Sequence, residues 1–399
     1  FQAEDGIRDF CLSRGLGDVY KRQKGIIYTP RVRKSPFFEE TLKYGATNFT
    51  TYNHMTMPVG YTTPEQEYQS LINDVTLWDV AAERQVEIIG EDASKFVQYM
   101  TPRNLSTFKD NFCRYAFMTD ENGGIINDPL ILKFNENKFW LSIADSDAIL
   151  WCKGVALSGN YKVNISEPEA CPLSLQGPRS KELMRKVTND DPLIMGLKYY
   201  QFIETNLFGI DLIIARSGWS NQFGYEIYIT READASILWS SLMEAGKEFK
   251  IVPSCPNQID RIEAGMISHQ GDTSLEENPL ELNLPKFYDL DQESDFVGKE
   301  ALLKIREEGI KKQFTGFKIS GKKIGYNMAR IPLFDSNSEQ KGFISSTIYS
   351  PNFGCNIALG YIDISLTSSE DIFKISHDGE DRDVEVVPLP FSSRLEKME

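Results

Sequence analysis

Glu226 places a single carboxylate in an aromatic strand pattern, directly after a glycine-rich turn. Residues 215–226 read ARSGWSNQFGYE, between an apolar β-rich run and the alternating run YEIYIT, which predicts strand, turn and strand. Gly218 and Gly224 would let the turn, with Trp219 at its tip, approach a neighbour or a flat ligand closely. Glu226 shares a strand face with Tyr228, so it can serve a ligand or face solvent, and periodicity alone favours a solvated hairpin.

A tyrosine and an aspartate thirteen residues apart lie in a second predicted hairpin. Residues 114–134, RYAFMTDENGGIINDPLILKF, contain an aromatic strand, a turn rich in Asp, Asn and Gly, and an apolar strand. Tyr115 belongs to the first strand, and Asp128 directly precedes Pro129. An aspartate before proline is ordinarily a turn former, so residue type alone assigns Asp128 no chemistry.

Three other segments carry ligand-binding residue types that also have common structural explanations. The cluster YNHMTMPVGY begins at Tyr52 and includes Met57, and core packing with a turn would account for it. The pair Tyr199-Tyr200 would more often belong to a core. Arg261 lies in a helix predicted over 257–266, where it can hold a carboxylate bidentately or form a surface ion pair with a neighbouring acid.

The remaining pattern mixes helices and strands. Helices are predicted over 64–74 and 91–100, the second from an apolar stripe. The run LSLQGPRSKELM, residues 173–184, predicts a strand, a tight turn and a helix. From about residue 312 the chain consists of short β-runs separated by Gly and Pro turns. These elements predict an α+β protein with a β-rich C-terminal region.

Length, composition and charge restrict the function classes. The 399 residues suffice for two or three domains, and 41% hydrophobic with 25% charged residues is ordinary for a globular protein. A formal net charge of -15 argues against nucleic acid or an anionic membrane surface as the main partner. No apolar run approaches the roughly 20 residues of a membrane span, so a soluble, cytoplasmic protein is predicted.

Cysteine and histidine usage predicts neither a disulfide framework nor a metal site. The six cysteines, at 11, 113, 152, 171, 255 and 355, include no C-x-x-C pair and no nearby His at metal-ligand spacing. The three histidines are far apart in sequence. Reduced thiols in the cytosol and the absence of a metal are therefore expected.

The first 23 residues do not look like part of a fold. Residues 1–23 have neither an amphipathic period nor the apolar core of a signal peptide. They resemble the translation of a sequencing adaptor. We therefore interpret residues 1–23 as an artefact and expect the fold to begin at or after residue 24.

Five motifs in order resemble those of the aminomethyltransferase family, which includes the folate-dependent T-protein of glycine cleavage. Residues 215–226 resemble the family hairpin R-T-G-Y-T-G-E-x-G-F-E, and 115–128 resemble Y-S-x-M-x-N-x-x-G-G-I-x-D-D. The LQGP and RIEAG runs and SPNFGCNIALG, within the C-terminal region, complete the match from about residue 52 to 390. The resemblance implies an α+β, three-domain cloverleaf around a central folate channel. It implies a folate-binding region of two interleaved domains over 24–300 and a C-terminal β-barrel over 301–399.

The resemblance also assigns roles to individual residues. Tetrahydrofolate is the implied cofactor, with Glu226 on the pterin ring and Arg261 on the carboxylates of its tail. Tyr115 and Tyr200 would pack against the pterin. Asp128 would face the reacting folate nitrogens as the catalytic residue.

The donor side of the implied site is drawn from three more residues. Tyr52 and Met57, at the mouth of the channel, and Trp219 would bind the methyl donor. The face of Trp219 suits a cationic sulfonium or ammonium group.

Several departures from the T-protein pattern resemble the dimethylsulfoniopropionate demethylases within the family. They are the run Tyr-Asn-His-Met from residue 52, Asn127 in place of the first Asp of the pair, and the run SIADSD at 142–147. This last run is similar to the ISLADSD of those demethylases. They imply methyl transfer from dimethylsulfoniopropionate to tetrahydrofolate, which yields methylmercaptopropionate and 5-methyltetrahydrofolate. Such an in-line transfer needs a dry pocket and two aligned reactants rather than a covalent intermediate.

Two alternatives remain open on the sequence. A true aminomethyltransferase, or a demethylase of another methylated amine or sulfonium, would use related residues, and the former would need a lipoyl carrier protein as partner. A non-catalytic folate-binding assembly or repair factor would bind folate without turning over a donor. In the favoured interpretation the partners are small molecules, the methyl donor and tetrahydrofolate.

Overall fold

The structure is a computed structural model that describes residues 31–392. The segment 1–23, predicted to be an adaptor artefact, lies outside the described residues, as does Cys11. The helices are α1 Phe38–Lys43, α2 Pro64–Asn73, α3 Ala93–Tyr99, α4 Ala148–Ser158, α5 Ser180–Val187, α6 Pro192–Met195, α7 Ala235–Ala245, α8 Gln258–Glu263 and α9 Lys299–Glu308. Single 3-10 turns lie at Glu232–Asp234, Lys247–Phe249, Pro285–Phe287 and Ile364–Leu366.

Within residues 31–392, twenty-one strands form two open sheets, a barrel and two short ribbons. The strands of the first part are β1 Asn48–Tyr52, β2 Met55–Gly60, β3 Val75–Asp79, β4 Gln85–Ile89, β5 Phe112–Tyr115, β6 Met118–Thr119, β7 Ile125–Asn127, β8 Leu130–Asn135, β9 Lys138–Ser142 and β10 Asn164–Ser166. They continue with β11 Cys171–Gln176, β12 Phe202–Leu207, β13 Ile210–Ala215, β14 Gly224–Ile229 and β15 Ile251–Ser254. The last six are β16 Lys312–Ile319, β17 Ile331–Phe334, β18 Gln340–Ser350, β19 Cys355–Asp363, β20 Phe373–His377 and β21 Glu380–Val387.

The larger open sheet contains the hairpin predicted around residues 215–226. Its strand order is β12-β13-β14-β11-β3-β15, antiparallel except for the parallel pair of β15 and β3. All six residues of β14 are buried, so the solvated-hairpin interpretation is wrong. The strand has an apolar core on each side, and its alternating pattern therefore separates two interiors instead of an interior and solvent.

The second open sheet carries the hairpin predicted over 114–134. Its order is β10-β4-β9-β8-β5, antiparallel throughout. The predicted single hairpin consists of an inner ribbon, β6 with β7, and an outer pair, β5 with β8. One face packs on the larger sheet through a shared core that includes Phe134, Trp140, Phe202 and Tyr228.

The C-terminal strands close into a six-stranded barrel, as predicted. Its order is β16-β19-β18-β17-β20-β21, and the pairing of β16 with β21 completes the ring. The predicted division between residues 300 and 301 falls inside α9, and the first barrel strand begins at Lys312. The barrel packs through Ile348 and Leu359 on Ile262 of α8 and Tyr68 of α2.

Two local signals fixed the predicted helices close to their observed bounds. Thr63 caps α2 in a capping box with Gln66, and Pro64 occupies the first helical turn. The apolar residues Phe96 and Val97 bury one side of α3. Among residues 31–392, no helix is long and apolar enough to cross a membrane.

Candidate active site

Glu226 lies deep in the larger sheet with one carboxylate oxygen bonded and the other not. The residue is 4% exposed, and Ser174 and Ala215 are its partners on the adjacent strands. Ser217 Oγ donates to Glu226 Oε2 at 2.5 Å, and Tyr228 Oη donates to the same oxygen at 3.2 Å. Burial raises the pKa of the Glu226 carboxyl, and these two hydrogen bonds oppose the rise. Oε1 accepts no hydrogen bond from the part of the chain that the structure describes, so it remains available to a ligand.

Tyr115 and Asp128, predicted together from their spacing, are in direct contact. Tyr115 Oη donates to Asp128 Oδ2 at 2.9 Å, and both side chains are half-buried. Burial raises the pKa of Asp128 to about 7, against the lowering effect of the Tyr115 hydrogen bond. The Tyr115 ring meets Phe287 edge to face, with 5.0 Å between the ring centroids. A carboxyl group that titrates near neutrality therefore lies beside an aromatic wall.

Glu83 is a third carboxylate of this region that the sequence reasoning did not select. It lies in the turn between β3 and β4 and is half-buried. Burial, and then the negative charges of Glu226 and Asp128, raise the pKa of Glu83 well above its usual range. Glu83 in turn raises the pKa of Tyr52 and, less strongly, of Tyr228. One sequence feature could have indicated Glu83, namely that it is an acid in a short turn between two apolar strands.

The three segments that depart from the T-protein pattern are joined by hydrogen bonds. Asn53 N donates to Asp145 Oδ1 at 2.7 Å, and Asn53 Oδ1 accepts from Ser146 N at 3.0 Å. Asn127 Nδ2 donates to Ser146 Oγ at 2.8 Å and to Ala144 O at 2.9 Å. Asn53 and Asn127 are 1% and 0% exposed, and their hydrogen bonds hold the 144–147 loop in place.

The turn after Tyr52 has an uncommon backbone that fixes this tyrosine. Asn53 and His54 have φ of 46° and 60° and form the two-residue connection of the β1–β2 hairpin, a geometry in which asparagine is favoured. His54 Nε2 lies 3.4 Å from Asp147 Oδ1, the residue before α4. Asp147 is the N-cap residue of α4 and makes no side-chain capping bond to that helix. Tyr52 itself is half-buried at the edge of the larger sheet's core.

Tyr200 is held in a left-handed backbone conformation beside the second sheet. Its φ is 64°, which is unusual for an aromatic residue and often marks a functional position. Tyr200 N donates to Arg216 O at 2.9 Å, and Tyr200 O accepts from Cys113 N at 2.6 Å. Its ring stacks on Tyr199 with centroids 4.1 Å apart and 24° between the planes. The backbone therefore presents a pair of stacked, half-buried rings.

The glycine-rich turn is pressed against a neighbouring side chain of the same protein. A side chain at Gly218 or Gly224 would place its Cβ 2.2 Å or 2.3 Å from Gln176, in the LQGP motif. Asp260 also holds the turn, because its carboxylate accepts from Asn221 N at 2.6 Å and Gln222 Nε2 at 2.9 Å. The backbone N–H of Asn221 and the side-chain amide of Gln222 are thereby held, and the two bonds fix the turn that has Trp219 at its tip.

Arg261 is buried and already bonded. It is 0% exposed and forms an ion pair with Asp272, also 0% exposed, at 2.7 Å. Its five N–H groups find acceptors within 3.5 Å among the described residues: Gln258, Met266, Asp272, Tyr326 and Ser346. The predicted contact with the carboxylates of a folate tail is not supported by this position. Its guanidinium lies 6.0 Å from the Trp219 ring, so Arg261 instead supports the turn and the barrel.

The remaining predicted site residues lie at the borders of the cores. Tyr52, Tyr115 and Tyr200 border three different cores, and Tyr52 and Asp128 are electrostatically coupled. Met57 and Trp219 are half-buried, Met57 against the core of the larger sheet. Two surface cavities, of about 630 Å³ and about 770 Å³, have none of the predicted site residues in their walls. In residues 31–392 no group of His, Cys, Asp and Glu could hold a metal ion.

Comparisons with known proteins identify the family of the chain. Residues 37–292 match the family described as the GCVT N-terminal domain, and residues 312–392 match the glycine cleavage T-protein C-terminal barrel domain. The chain belongs to this aminomethyltransferase family. Its predicted class is thereby confirmed, a tetrahydrofolate-dependent enzyme that transfers one-carbon groups.

Individual relatives show which members of the family the chain is similar to. The chain is 35% identical over 335 residues to the dimethylsulfoniopropionate demethylase DmdA of Ruegeria pomeroyi, with 84% of this chain and 90% of that protein covered. It is 30% identical over 351 residues to an aminomethyltransferase of Caldanaerobacter subterraneus, with 85% and 90% covered. The crystal structure of aminomethyltransferase T from Bartonella henselae superimposes with a TM-score of 0.81 over 92% of this chain and 99% of that one, at 22% identity. The last similarity confirms the predicted fold.

The residues present suit a reduced pterin. A pterin presents N–H donors along one edge and two aromatic-like faces. Glu226 offers the unbonded Oε1 as an acceptor, and Tyr115 and Tyr200 offer ring surface. The chain thus supplies hydrogen-bonding and packing groups of the types that a pterin requires.

Proposed function

We propose that the chain is a tetrahydrofolate-dependent demethylase of dimethylsulfoniopropionate. The observation that carries the proposal is the hydrogen-bonded union of the segments that depart from the T-protein pattern, through Asn53, Asn127 and Ser146. All three segments depart from the T-protein pattern, and they meet next to Tyr52 and Asp128. They therefore form one altered region of the proposed site. The relative from Ruegeria pomeroyi, named for this substrate, supports the same choice.

In this proposal the residues bind and orient, and they exclude water. Glu226 accepts from the pterin edge, while Tyr115 and Tyr200 pack against its faces. Bound tetrahydrofolate supplies the nucleophilic nitrogen that accepts the methyl group. Trp219, Tyr52 and Met57 hold the donor, which positions its methyl group in line with that nitrogen. Arg261 acts indirectly, through the turn that presents Trp219.

Asp128 has an electrostatic task beside the reacting nitrogens. As methyl transfer proceeds, positive charge moves from the sulfur of the donor to the accepting nitrogen. An ionised Asp128 stabilises that charge, and Tyr115 orients the carboxylate through the 2.9 Å hydrogen bond. The sulfonium sulfur leaves with the electron pair of the broken carbon–sulfur bond as a neutral thioether, and the proton of the accepting nitrogen would pass to solvent, which gives 5-methyltetrahydrofolate. No general acid is required for that departure.

One assay tests the proposal directly. The purified protein, expressed without residues 1–23, is incubated anaerobically with tetrahydrofolate and dimethylsulfoniopropionate, and the products are identified by mass spectrometry. We expect 5-methyltetrahydrofolate and methylmercaptopropionate in equal amounts. If folate binds but neither product forms, the substrate assignment is wrong, and the protein is then tested with methylated amines and with a lipoyl carrier protein.

The second candidate is the aminomethyltransferase reaction. Relatives with that name are 30% identical over most of the chain, which favours it over other reactions. It would require the aminomethylated lipoyl arm of a carrier protein as donor. Formation of methylenetetrahydrofolate from such a carrier, without demethylation of the sulfonium, would establish it. Turnover of neither donor would leave the non-catalytic folate-binding role.

A further inference from the structure

Glu83 is the charged side chain of the site that has no assigned role. It is half-buried in the turn between β3 and β4, and neither a hydrogen bond nor an ion pair joins its carboxylate to another residue of the described chain. Charged groups inside proteins are normally paired, because an unpaired buried charge is costly. The Glu83 carboxylate therefore differs from Glu226 and Asp128, which are both hydrogen-bonded.

The backbone around Glu83 is fixed on both sides. Glu83 N donates to Val80 O at 2.8 Å, and Glu83 O accepts from Gln85 Nε2 at 2.6 Å. Ala82 O accepts from Asn53 Nδ2 at 3.0 Å, which ties the turn to the segment that follows Tyr52. The backbone that carries Glu83 is thus held at a defined place next to the segment that follows Tyr52.

Negative charge and aromatic rings surround Glu83, and no cation among the residues that the structure describes pairs with it. Glu226 on β14, Asp128 after β7, Tyr52 on β1 and Tyr228 on β14 are its titratable neighbours. The adjacent Arg84 points elsewhere, since its guanidinium pairs with Glu167. A site with this composition stabilises a ligand that brings its own positive charge.

We propose that Glu83 binds the positively charged sulfonium centre of the methyl donor and selects permanently cationic donors over neutral ones. This inference rests on the proposed function and deepens it by assigning the recognition of charge. Tyr52 directly precedes Asn53, whose side chain is bonded to Ala82 O beside Glu83, and in this proposal it contributes its ring. Glu226 then serves the pterin, and Glu83 serves the donor.

The test compares a cation with its carbon isostere. Equilibrium binding of dimethylsulfoniopropionate and of 4-methylpentanoate, which replaces the sulfonium by a CH group, is measured by calorimetry with tetrahydrofolate present. Wild-type protein should prefer the sulfonium. Glu83→Gln should weaken sulfonium binding by about 10- to 100-fold, the usual effect of losing one charge-assisted contact, and change binding of the isostere less than about threefold. Retention of the preference in Glu83→Gln would overturn the inference.

Two further variants separate recognition of charge from a structural effect. Glu83→Asp keeps the carboxylate and should recover part of the preference, whereas a role in folding alone would make Asp and Gln equally harmful. Glu121→Gln removes one negative charge at an exposed turn and should leave both affinities unchanged. Folate binding should be unchanged in Glu83→Gln, and the melting temperature should be no lower than that of wild type, because the substitution removes a carboxyl whose pKa is raised in the folded state.

The calorimetric experiment provides an independent readout. Burial and neighbouring carboxylates favour the protonated form of Glu83, so binding of a cation should release a proton near neutral pH, and Glu83→Gln should abolish that release. A wild-type protein that does not demethylate the sulfonium would refute the proposed function. A wild-type protein that demethylates it, with a Glu83→Gln variant that still prefers the cation, would refute only the assignment of Glu83.

Discussion

Two regions inside the protein contain ionisable groups: the carboxylates of Glu83, Glu226 and Asp128, and the Arg261–Asp272 pair. Only in the pair is a negative charge matched by a positive one. Arg261 and Asp272 are each 0% exposed and lie 2.7 Å apart, with Ser346 bonded to both. Burial, and then the negative charges of Glu226 and Asp128, instead raise the pKa of Glu83, and no cation of residues 31–392 forms an ion pair with any of these three carboxylates. Both regions contain family motifs. The comparison teaches that a motif residue saturated by its neighbours supports the fold, while an unbalanced charge points to a ligand.

The largest effect is expected when the complete pair is broken. Arg261→Met leaves Asp272 buried without its counter-ion, so the free energy of unfolding should fall by about 3–5 kcal/mol. Urea denaturation followed by circular dichroism measures this change. Arg306→Met is the matched control, because its ion pair with Asp291 is exposed and such pairs contribute at most about 1 kcal/mol.

The outcome for folate distinguishes the two roles of Arg261. If it only supports the turn, the folded fraction of Arg261→Met at low temperature should bind tetrahydrofolate within a few-fold of wild type. A normally stable variant that lost affinity for polyglutamylated folate alone would instead restore the direct contact predicted from the motif.

Local pattern predicted the hairpin that carries Tyr115 and Asp128, because a hairpin does not depend on tertiary packing, whereas the family resemblance assigned these two residues to the site. The contact of Tyr115 with Asp128 follows from a hairpin whose two arms return to the same place. The short strands and turns after residue 312 predicted a β-rich C-terminal region, and the family resemblance implied that it forms the barrel that is observed. Glu83 was missed because a lone acid in a turn has no pattern of its own.

Other failures have a tertiary cause. Ser346 lies 85 residues from Arg261, so sequence alone gave no indication that the guanidinium would be saturated. The alternation in β14 was misinterpreted because a strand between two cores can carry buried polar groups on one face when they are hydrogen-bonded to each other, as Glu226 and Tyr228 are.

In the unbalanced region, removal of the Glu226 charge should have the next largest effect. Glu226→Gln keeps the shape of the side chain but loses charge-assisted acceptance from the pterin. Tetrahydrofolate should bind about 100-fold more weakly, as expected for the loss of two such bonds. Fluorescence quenching on folate binding measures the affinity. Glu121→Gln, at an exposed turn, should bind folate normally, and wild-type affinity in Glu226→Gln would refute the pterin assignment.

The titration of Asp128 provides a smaller effect of about tenfold. Its pKa is raised to about 7, so the ionised fraction increases about tenfold between pH 6 and pH 8. If the ionised form is the active one, kcat should rise with pH across this range. Asp128→Asn should be slow and without this dependence. A profile that is unchanged in Asp128→Asn would assign the ionisation to another group.

Stability should show the opposite dependence on pH, because the unfolded carboxyl ionises near pH 4. Between about pH 4 and pH 7 the folded state holds a proton that the unfolded state has lost, so the free energy of unfolding of wild type falls as pH rises. Asp128→Asn should therefore gain stability relative to wild type as pH rises through this range and keep a constant advantage above it. Thermal melts at pH 5 and pH 8 test the sign.

The smallest effect is expected at Trp219, where the two regions meet. Its ring lies 6.0 Å from the guanidinium of Arg261 and is half-buried. A cation on the face of a partly exposed ring gains about 0.5–1 kcal/mol, so Trp219→Ala should weaken the sulfonium donor by roughly two- to fivefold. Trp219→Phe, which keeps an aromatic face, should recover most of the loss. Because Glu226 and not Trp219 is assigned to the pterin, folate affinity should not change, and an equal loss of donor and folate would place Trp219 in the architecture of the turn instead.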